Sequence, residues 1–443
     1  MKRLFAIAGM GLFGLLWLAA CGSQGPAGTE VKVHLVAPFG GTGTGRVIYQ
    51  VADGSWQAAL EQAPGVYALT LPAGEKRYGV AVNCLPTGWE LATFGYARVF
   101  QLTVDDTTDL RVGCTSLSDI AQYSLTEAPI EVESSESGYN RVWLRSAWSA
   151  KKVGLGTPKP LTFLTRPRRD LLIVAYDSGS SKYAPRFIKR IKLVRDLDAS
   201  TPPVCATPCS YALTSADTPA IASVENFSLP AWADQDPWFG VGFVSKKGLV
   251  VPHGSDDPDN DPALGTGDHS GGDYYLIPDT EAGDVYWAEA SAKDAAGTYR
   301  ASNVKVLDHD GGDIAFALPT AKFDPSVSDH GLPRFGFSSY GTSGLVGYAF
   351  VAEFGDFTEF AVVSPGWLGG RTTYQVPDLS GAPGFAGARP LPGEKVHWQG
   401  IAIVANRPLG EILSAEPLPL PHPLPRLPGL ELRLASKQGH YTH

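Results

Sequence analysis

Past residue 20 this sequence lacks any convincing stretch with apolar residues at helical spacing, and its 50 glycines and 35 prolines in 443 residues argue against long helices. It lacks a membrane-spanning run as well: the apolar segment Leu4 to Ala20 has 17 residues, where a spanning helix wants about 20. Positive charge is in short supply, with 36 Lys and Arg against 45 Asp and Glu. The net charge of −9 argues against a nucleic-acid partner, because phosphates are met by basic surfaces. Familiar catalytic strings are missing: there is no GxSxG and no HExxH. Gly336-Phe337-Ser338-Ser339-Tyr340 lacks the final glycine of the first, and Gly41-Thr42-Gly43-Thr44-Gly45 lacks the lysine and helix of a phosphate loop, so both read as β-turns. Acids are scattered so widely that a carboxylate pair for glycoside hydrolysis gives no signal of its own.

What is present begins at the amino terminus. Lys2 and Arg3 precede the apolar run, and Leu18-Ala19-Ala20-Cys21 is followed by small, polar residues from Gly22 to Gly28. A basic start, a short apolar core and small residues at its end make a secretory signal. Leu18 to Cys21 resembles the lipobox of bacterial lipoproteins. That resemblance implies a diacylglycerol on Cys21, cleavage after Ala20 and fatty acylation, such as palmitate, of the new amino terminus. Each buried methylene contributes about 0.8 kcal/mol, so several acyl chains hold where one is marginal. Cleavage removes Lys2 and Arg3, takes the net charge from −9 to −11 and leaves 423 residues. Gly22, where inner-membrane retention signals place Asp, favours an outer or surface leaflet. With Cys21 lipidated, Cys84, Cys114, Cys205 and Cys209 remain, an even number for two disulfides in an oxidising compartment.

Self-comparison sets the architecture. YQVADGS, APGVY and LPAGEKRYGVAV within 49–82 recur in order as YQVPDLS, APGF and LPGEKVHWQGIAI within 374–403. GGDYYLIPD at 271–279 and GDVYWAEASA at 283–292 echo GGRTTYQVPD at 369–378 and GEKVHW at 393–398. LPAWADQDPWFGVGFV at 229–244 parallels LPRFGFSSYGTSGLVGYAFV at 332–351, and LTFLTRPRRDLLIVAY at 161–176 echoes 67–82 more faintly. A unit of about 100 residues points to tandem domains rather than to a solenoid of 20–45-residue repeats, and each unit is long enough to bury its own core.

Apolar side chains alternate within the units. Tyr78, Val80, Val82 and Cys84 fall on one strand face, as do Leu110, Val112 and Cys114. Residues 67–71 and 77–84, joined by Pro72-Ala73-Gly74-Glu75, read as a β-hairpin. The acidic segments 105–109 and 308–313 hold equivalent places, between 100–104 and 110–114 and between 303–307 and 314–318. They read as polar turns between strands, not as metal sites. These strand–turn–strand units resemble the prealbumin-like and carboxypeptidase regulatory-like β-sandwiches of bacterial surface proteins, which implies a seven-stranded sandwich used as spacer or binding module. An immunoglobulin-like sandwich fits the strand count equally.

The expected fold class is therefore all-β, tandem antiparallel β-sandwich modules after a cleaved lipoprotein signal. The divisions are 1–20 signal, 21–29 lipidated tether, and modules over 30–118, 119–218, 219–320 and 321–443. Residues 417–429, PLPLPHPLPRLPG, read as an extended edge segment leading into a last strand at 430–434. Cys84 and Cys114 point inward from strand ends in one module and can bond; closing a loop of about thirty residues stabilises by roughly 3 to 4 kcal/mol in the chain-entropy view. Cys205 and Cys209 need a tight turn around Pro208 to meet.

Candidate ligand groups are few. Asp257, Asp259, Asp261 and Asp268 have the spacing of a twelve-residue calcium loop, but Pro262 stands where glycine is needed and an aspartate ends it, so no metal site is assigned and calcium is the one cofactor with a candidate set. Trp287 and Trp398 match between repeats and read as core. Trp232, Trp238 and Trp367, beside proline- and glycine-rich loops, read as exposed contacts. Residues 186–195 read as a strand with one charged face. The functional expectation is a lipid-anchored extracytoplasmic protein without catalytic residues, in a binding, adhesion or envelope-structural role. Its expected partners are the membrane, through the anchor, and an envelope protein or glycan. The alternatives are a secreted hydrolase with a site built from loops of modules three and four, and an accessory lipoprotein of an envelope complex.

Overall fold

The computed structural model describes residues 28–37, 41–84, 95–114, 125–134, 139–146, 149–153, 159–164, 170–177, 185–192, 209–234, 237–252, 264–419 and 424–443. The chain is nearly all β, in several sheets that face one another in pairs.

In residues 30–118 the first strand, Thr29–Val36, pairs antiparallel with Val66–Leu71 and parallel with Asp109–Gly113. The facing sheet sets Arg46–Val51 between Gln57–Ala58 and Arg77–Asn83, with Gly95–Thr103 beyond. Leu60–Ala63 continues the third strand around a bend and flanks Val66–Leu71. Counted in chain order, the seven strands lie as 4-1-7 and 3-2-5-6. Val31, Val33 and Leu35 from one sheet meet Tyr78, Val80 and Val82 from the other, all buried, because period-two alternation turns one side of every strand inward.

This order recurs in every unit. In 119–218 the sheets are Lys159–Leu164, Leu125–Ser134 and Cys209–Leu213, and Ser149–Val153, Tyr139–Ser146, Leu171–Asp177 and Pro185–Ile191. Cys209–Leu213 again runs parallel to the first strand. In 219–320, Gly272–Tyr275 pairs with Ile221–Val224, and Ile314 bridges Val224 in the parallel seventh place. Val250–Val251, Trp238–Val244, Val285–Lys293 and Tyr299–Leu307 form the facing sheet, in that order. In 321–443 the facing sheet is Phe357–Val363, Leu345–Phe354, Lys395–Ala405 and Glu431–Thr442, and Thr373–Gln375 lies beside Pro333–Gly336. There the seventh place is filled from upstream: Ser326–Asp329 covers the free side of Pro333–Gly336, running antiparallel.

Three local expectations are corrected. Val66–Leu71 and Arg77–Asn83 are not a hairpin. The first pairs with Thr29–Val36 and the second with Arg46–Val51, so residues 72–76 arch from one sheet to the other. Residues 104–108 do the same between Gly95–Thr103 and Asp109–Gly113. Alternation identifies the face a strand buries and says nothing of its partner. Residues 314–318 keep their alternation, with Ile314, Phe316 and Leu318 buried, but only Ile314 makes a ladder contact. Of the repeated strings, YQVADGS lies at the second strand and YQVPDLS at the fourth, so that echo is not structural, and APGVY leads into a fourth strand where APGF follows one; the echoes at 271–292 and 369–398 fall on the fourth and fifth strands of both units.

The units do not stand apart, contrary to the expectation that each buries its own core. Tyr299–Leu307 pairs antiparallel with Glu431–Thr442, and Phe357–Val363 pairs parallel with Gly95–Thr103. Three four-stranded sheets thereby join edge to edge and, with Gly265–Gly267 paired to Trp238–Val244 off the main path, make one sheet of 13 strands. The physical gain is that sixth-strand edges, otherwise rows of unpaired amides, are consumed inside the molecule. Cores are shared accordingly: Ile48, Ala81, Ala97 and Val99 of the first unit pack into the core of the fourth. Trp143, Leu172, Val174, Tyr176 and Ile188 of the second pack with Phe239, Val241 and Phe243 of the third.

The proline-rich segment is likewise not an extended edge. Pro417 bridges Pro425, and Leu418 N donates to Leu424 O at 2.7 Å, so the chain doubles back. Leu418, Leu424 and Leu430 are buried with Val244, Trp287, Val304 and Leu432, covering the face of the large sheet where the third and fourth units meet. Glu431–Thr442 then pairs along Lys395–Ala405, where a final strand was expected.

Candidate binding surface

Trp232 sits where the third unit hands over to the fourth. Its indole Nε1 donates to Thr320 O at 2.9 Å, and its ring meets Tyr299 edge-on at 6.3 Å. Lys322 Nζ lies 5.4 Å from the Trp232 ring centre and 4.1 Å from that of Tyr299. The Tyr299 hydroxyl donates to Asp324 Oδ1 at 2.8 Å, and Lys437 Nζ donates to the same oxygen at 2.5 Å. Those hydrogen bonds, from Lys437 and then Tyr299, hold the Asp324 carboxyl below its usual range. Tyr299 and Lys437 stand opposite one another across the joined strands, which fixes the cluster on the seam. With Lys322 exposed and both rings half-buried, the cluster presents a cation backed by two aromatic faces.

The other two tryptophans differ. Trp238 is half-buried at the start of Trp238–Val244, opposite Ser291. Trp367, expected as an exposed contact, is only 2% exposed. It lies in the short helix Pro365–Leu368, capped by Ser364 Oγ accepting from Trp367 N at 3.0 Å. The Arg77 guanidinium covers its ring at 5.6 Å. The parallel pairing of Phe357–Val363 with Gly95–Thr103 carries this helix onto the first unit and buries the indole. Trp287 and Trp398 are both packed, but on opposite faces, Trp287 under the proline-rich segment and Trp398 against Phe335.

Cys84 and Cys114 are bonded, with Cα atoms 5.4 Å apart. Beside them Arg98 Nη1 donates to Gly113 O at 2.7 Å. Cys209 begins the strand Cys209–Leu213; Cys21 and Cys205 lie outside the described residues. Asp257, Asp259 and Asp261 do too, and Asp268 is exposed. Among the described residues no three His, Cys, Asp or Glu side chains converge as metal ligands.

Two buried polar groups were not legible beforehand. Arg190, expected on a charged strand face, is wholly buried: Nε donates to Asp170 Oδ2 at 2.8 Å and Nη1 to Asp284 Oδ2 at 2.6 Å, with Nη2 also on Asp170. Burial disfavours its charge, but the two carboxylates outweigh that and raise its pKa. Asp284 further accepts from Lys246 N at 2.7 Å and Glu281 N at 2.9 Å, so the triad ties the second unit to a turn of the third. Glu359, 0% exposed in Phe357–Val363, has neither carboxyl oxygen hydrogen-bonded, and the Tyr374 hydroxyl is likewise unpartnered. Burial, with the charge of Asp378 adding, pushes Glu359 well above the usual carboxyl range. Arg190 is engaged by its two carboxylates and Glu359 is sealed in the core, which suits them to holding the assembly together and not to meeting a substrate.

Among the described residues no helix is long and apolar enough to cross a membrane. No known family model matches the sequence, and no curated protein matches it. Among solved structures, the FN1–FN3 domains of chicken CNTN1 align at 10% identity over 85% of this chain and 93% of that one, with a TM-score of 0.15, too low to carry an argument.

Proposed function

We propose that this chain is a lipid-anchored extracytoplasmic surface protein in which fused β-sandwiches form a rigid platform for binding, adhesion or envelope structure, without catalysis. Leu18-Ala19-Ala20-Cys21 carries the reading, because only seven residues separate Cys21 from the first strand at Thr29. The Cys84–Cys114 bond supports an oxidising compartment. We read the modules as prealbumin-like: their first and second strands lie in opposite sheets, whereas immunoglobulin domains keep both in one. The surface we assign to an envelope protein or glycan is the Trp232, Tyr299 and Lys322 cluster, where aromatic faces and a cation reach solvent together.

Metabolic labelling with palmitate tests the anchor. The wild-type chain takes up label and fractionates with membranes, and Cys21→Ala abolishes both. Label retained in Cys21→Ala, or normal processing when lipoprotein maturation is blocked, contradicts the reading.

A further inference from the structure

We infer that His397, His440 and Glu353 form a binding site for a borderline divalent metal ion, of the zinc or copper(II) type, on the outer face of the large sheet. Pairing places all three in one row: Glu353 is opposite His397, and His397 is opposite His440. Directly opposed residues in antiparallel strands project to the same side, with Cβ atoms about 4.5 to 5.5 Å apart. The other side of these strands is the buried one, carrying Val396, Phe350, Ala352 and Phe354, so the row faces outward. All three side chains are exposed. The proline-rich cover lies over Ile403, Ala405 and Leu432, at the far end of the same strands, and leaves this end open.

The ring geometry is near that of a chelating pair. The His397 and His440 ring centres are 5.7 Å apart, at an interplanar angle of 44°. With metal–nitrogen distances of about 2.0–2.1 Å and a tetrahedral angle, two bound imidazoles have ring centres about 5.2 Å apart. Small rotamer adjustments close that gap. Glu353, on a three-bond arm, supplies a carboxylate from the neighbouring strand, and water completes the shell. Two imidazoles and one carboxylate suit zinc, copper(II) or nickel rather than calcium or magnesium.

Three other imidazoles are committed to acids elsewhere. His34 Nε2 lies 3.0 Å from Asp109, His309 Nδ1 lies 2.7 Å from Asp308, and His443 Nδ1 lies 3.0 Å from Asp329. The His397 and His440 rings face each other instead. Because the three ligands do not converge beforehand, metal draws them together and clips three adjacent strands.

Copper(II) titration of the full chain in detergent, read by electron paramagnetic resonance and calorimetry, tests this. We expect one tight equivalent with a two-imidazole signature. His397→Ala and His440→Ala each reduce it to one imidazole and weaken binding at least tenfold, and Glu353→Gln weakens it less. Zinc raises the melting temperature of the wild type and not of either histidine variant. A wild-type spectrum without paired imidazoles, or unchanged affinity and stoichiometry in either histidine variant, overturns the assignment; the wild-type spectrum decides even where a variant folds poorly.

Discussion

Glu359 is a buried carboxyl that no protein donor reaches, opposite Ala97 where the first and fourth units join. Its folded pKa lies well above the ordinary 4.5, so the native chain holds a proton that the unfolded chain releases. The sign follows: this proton contributes stability below the unfolded pKa, and the contribution is lost as pH rises through the folded one. Denaturant unfolding at pH 5 and pH 8 should show the wild type losing stability relative to Glu359→Gln at the higher pH; parallel pH dependence in the two proteins contradicts burial of a titrating acid. Gly410 is constrained by space. A β-carbon there falls on the carbonyl oxygen of Asp106, because the helix Leu409–Ser414 lies against the first unit. Gly410→Ala should therefore cost about 1 to 3 kcal/mol, seen as a lower melting temperature. An unchanged melt means the helix is not docked there. At this scale the sequence was informative wherever alternation is strict, as at Tyr78, Val80, Val82 and Cys84. It was silent on Glu359, since an acid between apolar neighbours in Phe357–Val363 reads as the solvent side of an edge strand until another strand covers it.

Elements meet through faces and edges that a pattern does not name. Pro185–Ile191 alternates as a strand should, and Arg190 would be surface if its sheet faced water. Instead that sheet face packs on the third unit, and Asp170 and Asp284 close around the guanidinium. Buried charge of this kind is costly to break: Arg190→Ala leaves two uncompensated carboxylates and should destabilise by about 3 to 5 kcal/mol. Restoring neutrality with Asp170→Asn and Asp284→Asn should recover part of the loss. If Arg190→Ala unfolds like the wild type, the triad does not hold the second and third units together. The same limit explains the missed arch at 72–76. Turn chemistry and alternation were both read correctly, yet neither distinguishes a hairpin from a crossing between sheets, because the two strands bury the same core either way.

The whole molecule is where inference from repeats stopped short. Echoes between 161–176 and 67–82, or between 271–292 and 369–398, fall on the fourth and fifth strands of units that share one strand order. They compare units with each other and hold nothing about edges between units, so the joining of Tyr299–Leu307 to Glu431–Thr442 and of Phe357–Val363 to Gly95–Thr103 left no trace in them. Among candidate contacts, Trp232 was found because proline-rich loops flank it, and Trp367 misled because its loop docks on a neighbouring unit. Hydrogen exchange of the peptides covering 95–103, 299–307, 357–363 and 431–442 tests the fused sheet most directly. The account predicts that these edge strands are protected as strongly as the central strands 77–83 and 285–293, and that they open together. Rapid exchange at all four edges, with the central strands still protected, would mean a string of separate sandwiches.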